Sequence, residues 1–402
     1  MSTNSSPSEE NSSVPVIRNP NLHILFCVTL TGIMGVSSIT PALPLIARTF
    51  EISVSEVAML ITVFTLPGII LTPALGVLAD LIGRKKVMVP SMLVFGLAGF
   101  ACTFAQTYDQ LLLFRFIQGT GTAALGSLNV TIIGDIFKGK ERAEAMGYNS
   151  GVLSFGATLY PAIGGALALF GWYYPFFLPL LAIPVAFIIM AYLDNPEPLR
   201  DATLSEYFGN VRRGLSNRRV LLLFVATMVS FSILYGPILT IIPFLLEDRF
   251  GASSLIIGIV LGTVAISNGS TAMTMGKLIT RFSAIGLLKF SFLLYTISLL
   301  LIPAMPAIAI LIIPVMMYGL AQGINLPVII TMVSNETTAE NRATIMSMNG
   351  MVLRISQTFA PLLMSFVYAQ YGFSGVYLIS AFLAATMGLI LLFRLKPRHG
   401  ID

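Results

Sequence analysis

Twelve apolar runs, each long enough to cross a membrane, recur along the sequence and restrict its fold more than any other feature. An α-helix rises about 1.5 Å per residue, so about twenty apolar residues span a hydrocarbon core roughly 30 Å thick. The sequence lacks the alternation of apolar and polar side chains that characterises spanning β-barrels. The runs begin near Leu22, Ser55, Val87, Gln110, Ala145, Tyr173, Val220, Leu255, Ile285, Ala307, Ala343 and Gly375.

The composition agrees with a chain surrounded by lipid. Hydrophobic residues make up 56% of it and charged residues only 10%, whereas soluble domains carry about 25% charged residues. So few charges cannot cover the surface of a globular domain of 402 residues. We therefore predict an all-α membrane protein of twelve transmembrane helices, with the lipid bilayer as its surface partner.

The positive charges predict how these helices are oriented. If both termini lie on one side, 19 of the 23 Lys and Arg residues fall on that side, and only Arg48 and Arg249 fall on the other. Lys and Arg are enriched in cytoplasmic loops, so we expect a multi-pass protein of the inner (cytoplasmic) membrane with both termini in the cytoplasm. A net charge of +5 also suits nucleic-acid binding, but the basic residues form short clusters between apolar runs. No nucleic-acid partner is therefore expected.

Residues that bind metals or perform catalysis are scarce. Cys27 and Cys102 lie in apolar runs without a nearby histidine, and His23 and His399 lie at a helix start and in the C-terminal tail. The sequence contains neither a nucleophile–base set nor a phosphate-binding Gly-Lys-Ser loop. It therefore predicts no metal site, no cofactor and no enzyme.

The two halves of the sequence resemble each other at an offset of about 200 residues. Matching positions are Gly76 and Gly276, Gln118 and Gln322, Met146 and Met346, and Pro161 and Pro361. In membrane proteins built from two such repeats, a binding site lies between the halves near the bilayer midplane. We predict two six-helix bundles related by pseudo-two-fold symmetry. The predicted segments are a disordered tail (1–21), a first bundle (22–193), a cytoplasmic linker (194–219), a second bundle (220–393) and a cytoplasmic tail (394–402).

Three motifs carry a resemblance to a known family. The turn after the second run, Gly76-Val-Leu-Ala-Asp80-Leu-Ile-Gly83-Arg84-Lys85-Lys86, resembles the signature loop of the major facilitator superfamily (MFS). The segment 111–121 in the fourth run resembles its membrane-embedded arginine motif. The segment 156–165 in the fifth run resembles the motif of its antiporters, with Tyr160 in place of the usual glycine. The sequence is similar to the branch of bacterial drug/proton antiporters and metabolite exporters.

This resemblance implies the MFS fold and a secondary active transporter that works as a monomer by alternating access. It implies proton-coupled efflux of small amphiphilic or polar organic compounds. It assigns a cytoplasmic lock of the outward-facing state to Gly76, Asp80, Gly83 and Arg84. It assigns a bend of the fifth helix, where the bundles meet, to Gly156, Pro161, Gly164 and Gly165. An alternative for the basic residues of the loop is that they only set the topology.

Two charges fall inside the apolar runs, where a charge costs about 2.5–3.5 kcal/mol at the bilayer centre on insertion scales. Arg115 lies two turns into the fourth run and Arg354 near the middle of the eleventh. Each is a candidate for coupling or substrate binding, although Arg115 can instead bond backbone carbonyls. All 18 Asp and Glu residues fall in tails, in loops or at helix ends, so Asp109 and Asp135 are the nearest acidic coupling candidates. This absence keeps a proton-independent facilitator or exchanger of an anionic or polar metabolite open as the alternative function.

Polar side chains at helical spacing predict the walls of a substrate cavity. On the fourth run Arg115, Gln118, Thr122 and Asn129 share a stripe, and on the tenth run Tyr318, Gln322 and Asn325 do the same. The cavity candidates are Ser38, Arg115, Gln118, Thr122, Tyr235, Tyr318, Gln322, Asn325, Arg354 and Gln357. Hydrogen bonding between helices uses the same residue types and is the alternative for this set.

Overall fold

The computed structural model describes residues 15–195, 217–337 and 342–395. Most of the predicted linker, residues 1–14 of the predicted N-terminal tail and residues 396–402 of the C-terminal tail lie outside the described residues. The helices are α1 (Pro20–Phe50), α2 (Val54–Ile82), α3 (Arg84–Phe104), α4 (Tyr108–Thr122 and Leu125–Ile136), α5 (Gly139–Ala168), α6 (Tyr174–Tyr192), α7 (Arg218–Phe250), α8 (Ser254–Arg281), α9 (Ala284–Ala304), α10 (Ile308–Asn335), α11 (342–371) and α12 (373–394).

Two breaks in the helices explain how the described residues reach the predicted number of twelve. Ten continuous stretches in the described ranges are long and apolar enough to span a membrane. The last of them contains both α11 and α12, because Gly372 has φ 62° and ψ −166° and the chain reverses there. Ser380 Oγ consequently lies 3.7 Å from Met364 Sδ. The fourth helix is interrupted at Ala123 and Ala124, so it consists of two shorter pieces.

The signals that begin and end the helices recur in both halves. Ser53 and Ser253 cap α2 and α8, each accepting a hydrogen bond from the backbone N–H three residues on. The preceding helices end at left-handed residues, Glu51 with φ 54° and Gly251 with φ 62°. Both pairs are separated by 200 residues, so the repeat found in the sequence extends to backbone conformation.

The first helix of each bundle is interrupted at an equivalent depth. In α1, a 3₁₀ turn at Thr40–Ala42 contains Pro41. In α7, a π-helical segment at Leu234–Ile241 contains Pro237. Proline has no N–H and clashes with the preceding turn of a regular helix, and short π segments accommodate such irregularities, frequently at functional sites.

Each bundle has its own apolar core, and the bundles meet along two helix pairs. These pairs are α5 with α8 and α2 with α11, and together they form what we term the seam. The terminal face is the side on which α1 begins and α6 ends, where the Asp194 N–H donates to the Asn21 side chain at 2.9 Å. The opposite side is the far face.

Towards the far face, the seam between α5 and α8 is closed by glycines. Gly258 of α8 lies directly against the carbonyl oxygen of Pro161, and Gly165 of α5 lies against that of Ser254. A Cβ at either glycine would overlap the opposing oxygen. The two backbones approach this closely only because these positions carry no side chain.

Polar contacts close the rest of the far face. Ser55 of α2 donates to the carbonyl oxygen of Ser365 in α11 at 3.3 Å. Beside this pair, Arg48 near the end of α1 forms an ion pair with Glu247 near the end of α7, at 3.0 Å. Both contacts join the first bundle to the second.

Towards the terminal face, the seam is open. Seven-residue spacing keeps side chains on one face of a helix, and it places Gly151, Thr158 and Gly165 together on α5 and Gly262, Gly269 and Gly276 together on α8. Along the middle of these faces the two helices are in contact, since Gly262 faces Thr158 and Gly269 faces Ser154. A Cβ at Gly151 or Gly276 would have no atom within 4 Å. In the part of the chain that the structure describes, the seam is therefore open at the terminal face, and we term the space between the bundles there the cavity.

Candidate functional site

Three polar side chains of the second bundle meet at the inner end of this cavity. Arg354, in the middle of α11, donates to Gln357 Oε1 at 3.5 Å. Gln357 donates from Nε2 to the Tyr235 hydroxyl at 3.0 Å. Tyr235 belongs to the π-helical segment of α7, where the Thr240 hydroxyl donates to the Tyr235 carbonyl at 2.6 Å. The structure thus brings together three of the predicted cavity residues.

The first bundle covers one side of this cluster. A Cβ at Gly68 of α2 would lie 3.5 Å from Arg354 Cδ, so the glycine allows the backbone of α2 to pass close to the guanidinium. One turn further towards the far face, Thr62 donates to the Thr358 carbonyl at 2.8 Å, and the hydroxyls of Thr358 and Thr65 are 3.0 Å apart. These threonine contacts close the seam beyond Arg354, which therefore stands at the blind end of the cavity.

Arg115 has a different environment. Its side chain is fully buried within the first bundle. It donates to the carbonyl oxygen of Gly35 at 2.9 Å, to that of Leu60 at 3.3 Å and to Gln118 Oε1 at 2.7 Å. The guanidinium also lies 4.0 Å from the centre of the Phe64 ring. Arg115 therefore joins α1, α2 and α4 through backbone carbonyls and does not face the seam.

Other polar candidates of the first bundle also point into its core, which corrects their predicted orientation. Gln118 and Thr122 are buried among the helices of their own bundle. Asn129 donates to the Thr29 hydroxyl at 2.6 Å. Ser38 is fully buried, and its hydroxyl donates to the Met34 carbonyl at 2.8 Å. The residues of this stripe share a face, as the helical spacing predicted, but that face lies inside the bundle and forms its hydrogen bonds there.

The stripe on α10, predicted to line the cavity, likewise lies inside its own bundle. Gln322 accepts a short hydrogen bond from Tyr295 and lies 3.5 Å from the Tyr318 hydroxyl. Asn325 donates to Ser291 at 2.9 Å and accepts from Ser230 at 2.7 Å. All of these groups are buried between α7, α9 and α10. Lipid surrounds the bundle, so polar side chains gain most by pairing with each other in its interior.

The loop after α2 is folded around a buried arginine. Arg84 is only 3% exposed and contacts Asp80 at 3.4 Å and also Asp135, at the end of α4. Gly83 has φ 106°, which favours glycine. All three charged residues belong to the first bundle, and Gly76 has no atom within 4 Å of a Cβ built on it. Among the described residues, the hydrogen bonds and ion pairs of the predicted lock residues therefore stay within the first bundle, and Asp135 belongs to this loop.

Asp109 and the α5 motif occupy other positions. Asp109 is exposed in the first turn of α4, at the far face. Gly156 packs against Leu30 of α1, with 2.8 Å between a built Cβ and Leu30 Cδ2, and Gly164 lies directly against the backbone of Ser38. With Pro161 and Gly165 at the seam, the motif allows α5 to approach both α1 and α8 closely.

The family follows from the sequence profile that matches this chain. The profile described as Major Facilitator Superfamily matches residues 25–267 and 220–401. The chain belongs to the major facilitator superfamily. It is 25% identical over 393 residues to the Bacillibactin exporter of Bacillus subtilis (strain 168), which covers 94% of this chain and 97% of that protein. It is 26% identical over 352 residues to Multidrug resistance protein 1 of the same organism, covering 86% and 89% respectively.

The fold of this MFS protein also matches solved structures. The nucleoside transporter NupG superimposes with a TM-score of 0.78 at 14% identity, covering 94% of this chain and 99% of that one. The predicted all-α MFS fold is thereby confirmed. The protein is a multi-pass secondary transporter, and its substrate is a small molecule.

The structure of this MFS protein also contains paired contacts that sequence analysis missed. Thr29 donates to Asn149 at 2.6 Å between α1 and α5, and Thr227 donates to Asn349 at 2.8 Å between α7 and α11. Asn149 and Asn349 are separated by the repeat offset. The offset that relates Met146 to Met346 also relates these two asparagines, so the sequence repeat contains a signal for this pair of contacts.

Proposed function

We propose that this protein exports small organic compounds across the cytoplasmic membrane by alternating access. The observation that carries the proposal is a cavity between the bundles that opens on the terminal face and ends at Arg354. The positive charges of the sequence favour a cytoplasmic position for that face. The open cavity is then accessible from the cytoplasm, as a transporter that loads its substrate there requires.

The named relatives support the direction of transport. Both full-length relatives carry names that describe export or drug resistance. Their identity of about a quarter extends over most of each chain, so the comparison includes both bundles. We propose efflux of amphiphilic or polar compounds on this basis.

In alternating access, the open end of the seam would close while its closed end opens. The glycines at the open end, Gly151 and Gly276, continue the faces that pack together further along α5 and α8. Rocking of the bundles would bring these positions into contact while the contacts of Gly165 and Gly258 separate. We propose that Asp80 and Arg84 then act across the seam as the cytoplasmic lock.

The coupling ion is the second part of the proposal. Proton-coupled export needs a group that exchanges a proton for substrate, and the acidic candidates Asp109 and Asp135 lie at the two ends of α4. In the ranges that the structure describes, no Asp or Glu forms an ion pair with Arg354. This arrangement favours, as the second candidate, a proton-independent exchanger of an anionic or polar metabolite.

Cell accumulation assays test export. Cells that express the protein should accumulate less of at least one compound, from a panel of dyes, antibiotics and organic acids, than cells with the empty vector. Asp80→Ala should remove the difference if the lock is required. A panel in which no compound differs between expressing and control cells would refute the proposed export.

Proteoliposomes separate the two coupling schemes. For an exported compound, proton antiport predicts uptake that requires an imposed pH gradient and stops when a protonophore is added. Exchange that continues without the gradient, driven only by the same compound on the opposite side, supports the second candidate.

A further inference from the structure

A cation that pairs with no carboxylate of the described residues stands at the blind end of the cavity. Among the described residues no carboxylate oxygen lies within 4.0 Å of the Arg354 guanidinium, whereas Arg48, Arg84 and Arg219 each pair with at least one. Buried charges are normally paired, because they lose hydration. We propose that the substrate supplies this charge and is an organic anion whose carboxylate binds Arg354. This inference rests on the transport function proposed above and names its substrate class.

The hydrogen bonds of the cluster leave donors available for a ligand. An arginine side chain donates and never accepts, so the Gln357 oxygen must face Arg354 and its amide nitrogen must face Tyr235. The Tyr235 oxygen therefore accepts from Gln357, and its own proton remains available. The remaining N–H groups of Arg354 and the O–H of Tyr235 thus offer donors to the same part of the cavity, a combination that suits carboxylate oxygens.

Arg115, the other intramembrane arginine, is enclosed by its own bundle. Its Nε and Nη1 donate to two backbone carbonyls and to Gln118, and the Phe64 ring covers one side of the guanidinium. Among the described residues its Nη2 has no hydrogen-bond partner, but it is buried out of reach of a ligand. The side chain is fully buried. Arg354 is partly exposed, and to the described residues its side chain makes one hydrogen bond, of 3.5 Å. Of these two intramembrane arginines, only Arg354 has donors that a ligand can reach.

The position of Arg354 relates anion binding to the movement of the bundles. It belongs to the second bundle but lies against Gly68 of the first. When the seam opens beyond Thr358, the guanidinium would lose the cover of α2 and become accessible from the far face. A carboxylate bound to the guanidinium would then also be accessible from the far face. The same arginine would therefore bind the anion during both loading and release.

Matched pairs of acids and amides test the proposal. The probes are benzoate, phenylacetate and naphthoate, each compared with its neutral primary amide, and the measurement is the Kd for the purified protein in detergent. Wild type should bind at least one carboxylate about 10- to 100-fold more tightly than its amide, the range expected for hydrogen bonds to a charged group. Arg354→Gln should bind acid and amide equally, and Arg354→Lys should retain part of the preference.

Two further variants control the result. Arg281→Gln removes a cation from the terminal face of the same bundle and should keep the full preference for the acids. Tyr235→Phe removes one donor without removing charge and should reduce the preference a few-fold. The thermal unfolding midpoint of each ligand-free variant reports whether it is folded. If Arg354→Gln does not fold, the binding preferences of Arg354→Lys and Tyr235→Phe decide the result.

The inference is overturned if the wild-type protein prefers no carboxylate over its amide. It is also overturned if the preference is unchanged in Arg354→Gln, or, where that variant does not fold, in both Arg354→Lys and Tyr235→Phe. Failure of the transport function looks different, because it appears as unchanged accumulation of every compound in cells. Export of a neutral or cationic compound without acid preference would retain the transporter and reject the anion.

Discussion

The ion pair between Arg48 and Glu247 predicts that the closed far face depends on charge across the seam. The pair joins the two bundles at 3.0 Å. The Arg48 side chain is 69% exposed and that of Glu247 is 21% exposed, so solvent screens the interaction. Such pairs contribute about 0.2–1 kcal/mol, which corresponds to a roughly 1.4- to 5-fold change in the ratio of closed to open molecules.

Charge reversal gives a direct test of this magnitude. Arg48→Glu and Glu247→Arg should each shift the equilibrium towards an open far face by about this factor, because like charges then oppose each other. The double variant restores an opposite pair and should recover most of the closed population. High ionic strength should reduce the differences, since the Debye length falls to about 3 Å at 1 M salt.

Cross-linking across the seam measures the closed population. Cysteines at Ser55 and Ser365, whose side-chain and carbonyl oxygens are 3.3 Å apart, would be joined by a short thiol-reactive cross-linker in a background without Cys27 and Cys102. Cross-linking should slow in each single reversal and recover in the double variant. Arg249→Glu changes the charge of a residue that bonds within the second bundle and is the control. Single reversals that cross-link at the wild-type rate, or a double variant that stays slow, would refute the reasoning.

Five further variants separate packing at the seam from packing within a bundle. Gly258→Ala should open the far face and lower cross-linking there, because its methyl group meets a backbone oxygen of α5, whereas Gly276→Ala has space and should leave this state unchanged in the same assay. Arg115→Leu should lower stability by about 2 kcal/mol or more, measured by thermal unfolding, because two buried carbonyls lose their donor. Thr29→Val and Thr227→Val should each cost about 1 kcal/mol in the same measurement, and unequal losses would contradict their equivalence in the two bundles.

The number of helices, their order and the repeat could be predicted from the sequence because hydropathy and charge act over whole segments. The predicted starts of α2, α8, α9 and α11 lie one residue from those of the structure, and that of α5 lies six residues away. The first turn of the α5 helix contains the charged residues Lys140, Glu141 and Arg142, which extend the helix beyond its apolar run. Helical propensity extends past the membrane boundary there, and hydropathy does not show it.

The site was predicted less completely, because periodicity shows that residues share a face but not what that face meets. Arg354, Gln357 and Tyr235 come together, whereas Gln322 and Asn325 turn into their own bundle. Their partners are a tyrosine and serines of neighbouring helices, and such pairings between helices leave no local pattern in the sequence. The π-helical segment around Tyr235 is equally invisible, apart from the proline two residues after it.

The glycines at the open end of the seam have a consequence for how substitutions in this protein should be interpreted. Gly151 and Gly276 touch nothing that a methyl group would disturb, so a survey of stability in this conformation would rate them as freely replaceable. Their spacing continues the faces that pack tightly elsewhere along α5 and α8. A side chain added there would be tolerated while the cavity faces the terminal side and rejected when the bundles rock. Such positions would combine normal expression with lost turnover, which is the signature of a residue selected for a conformation other than the one observed.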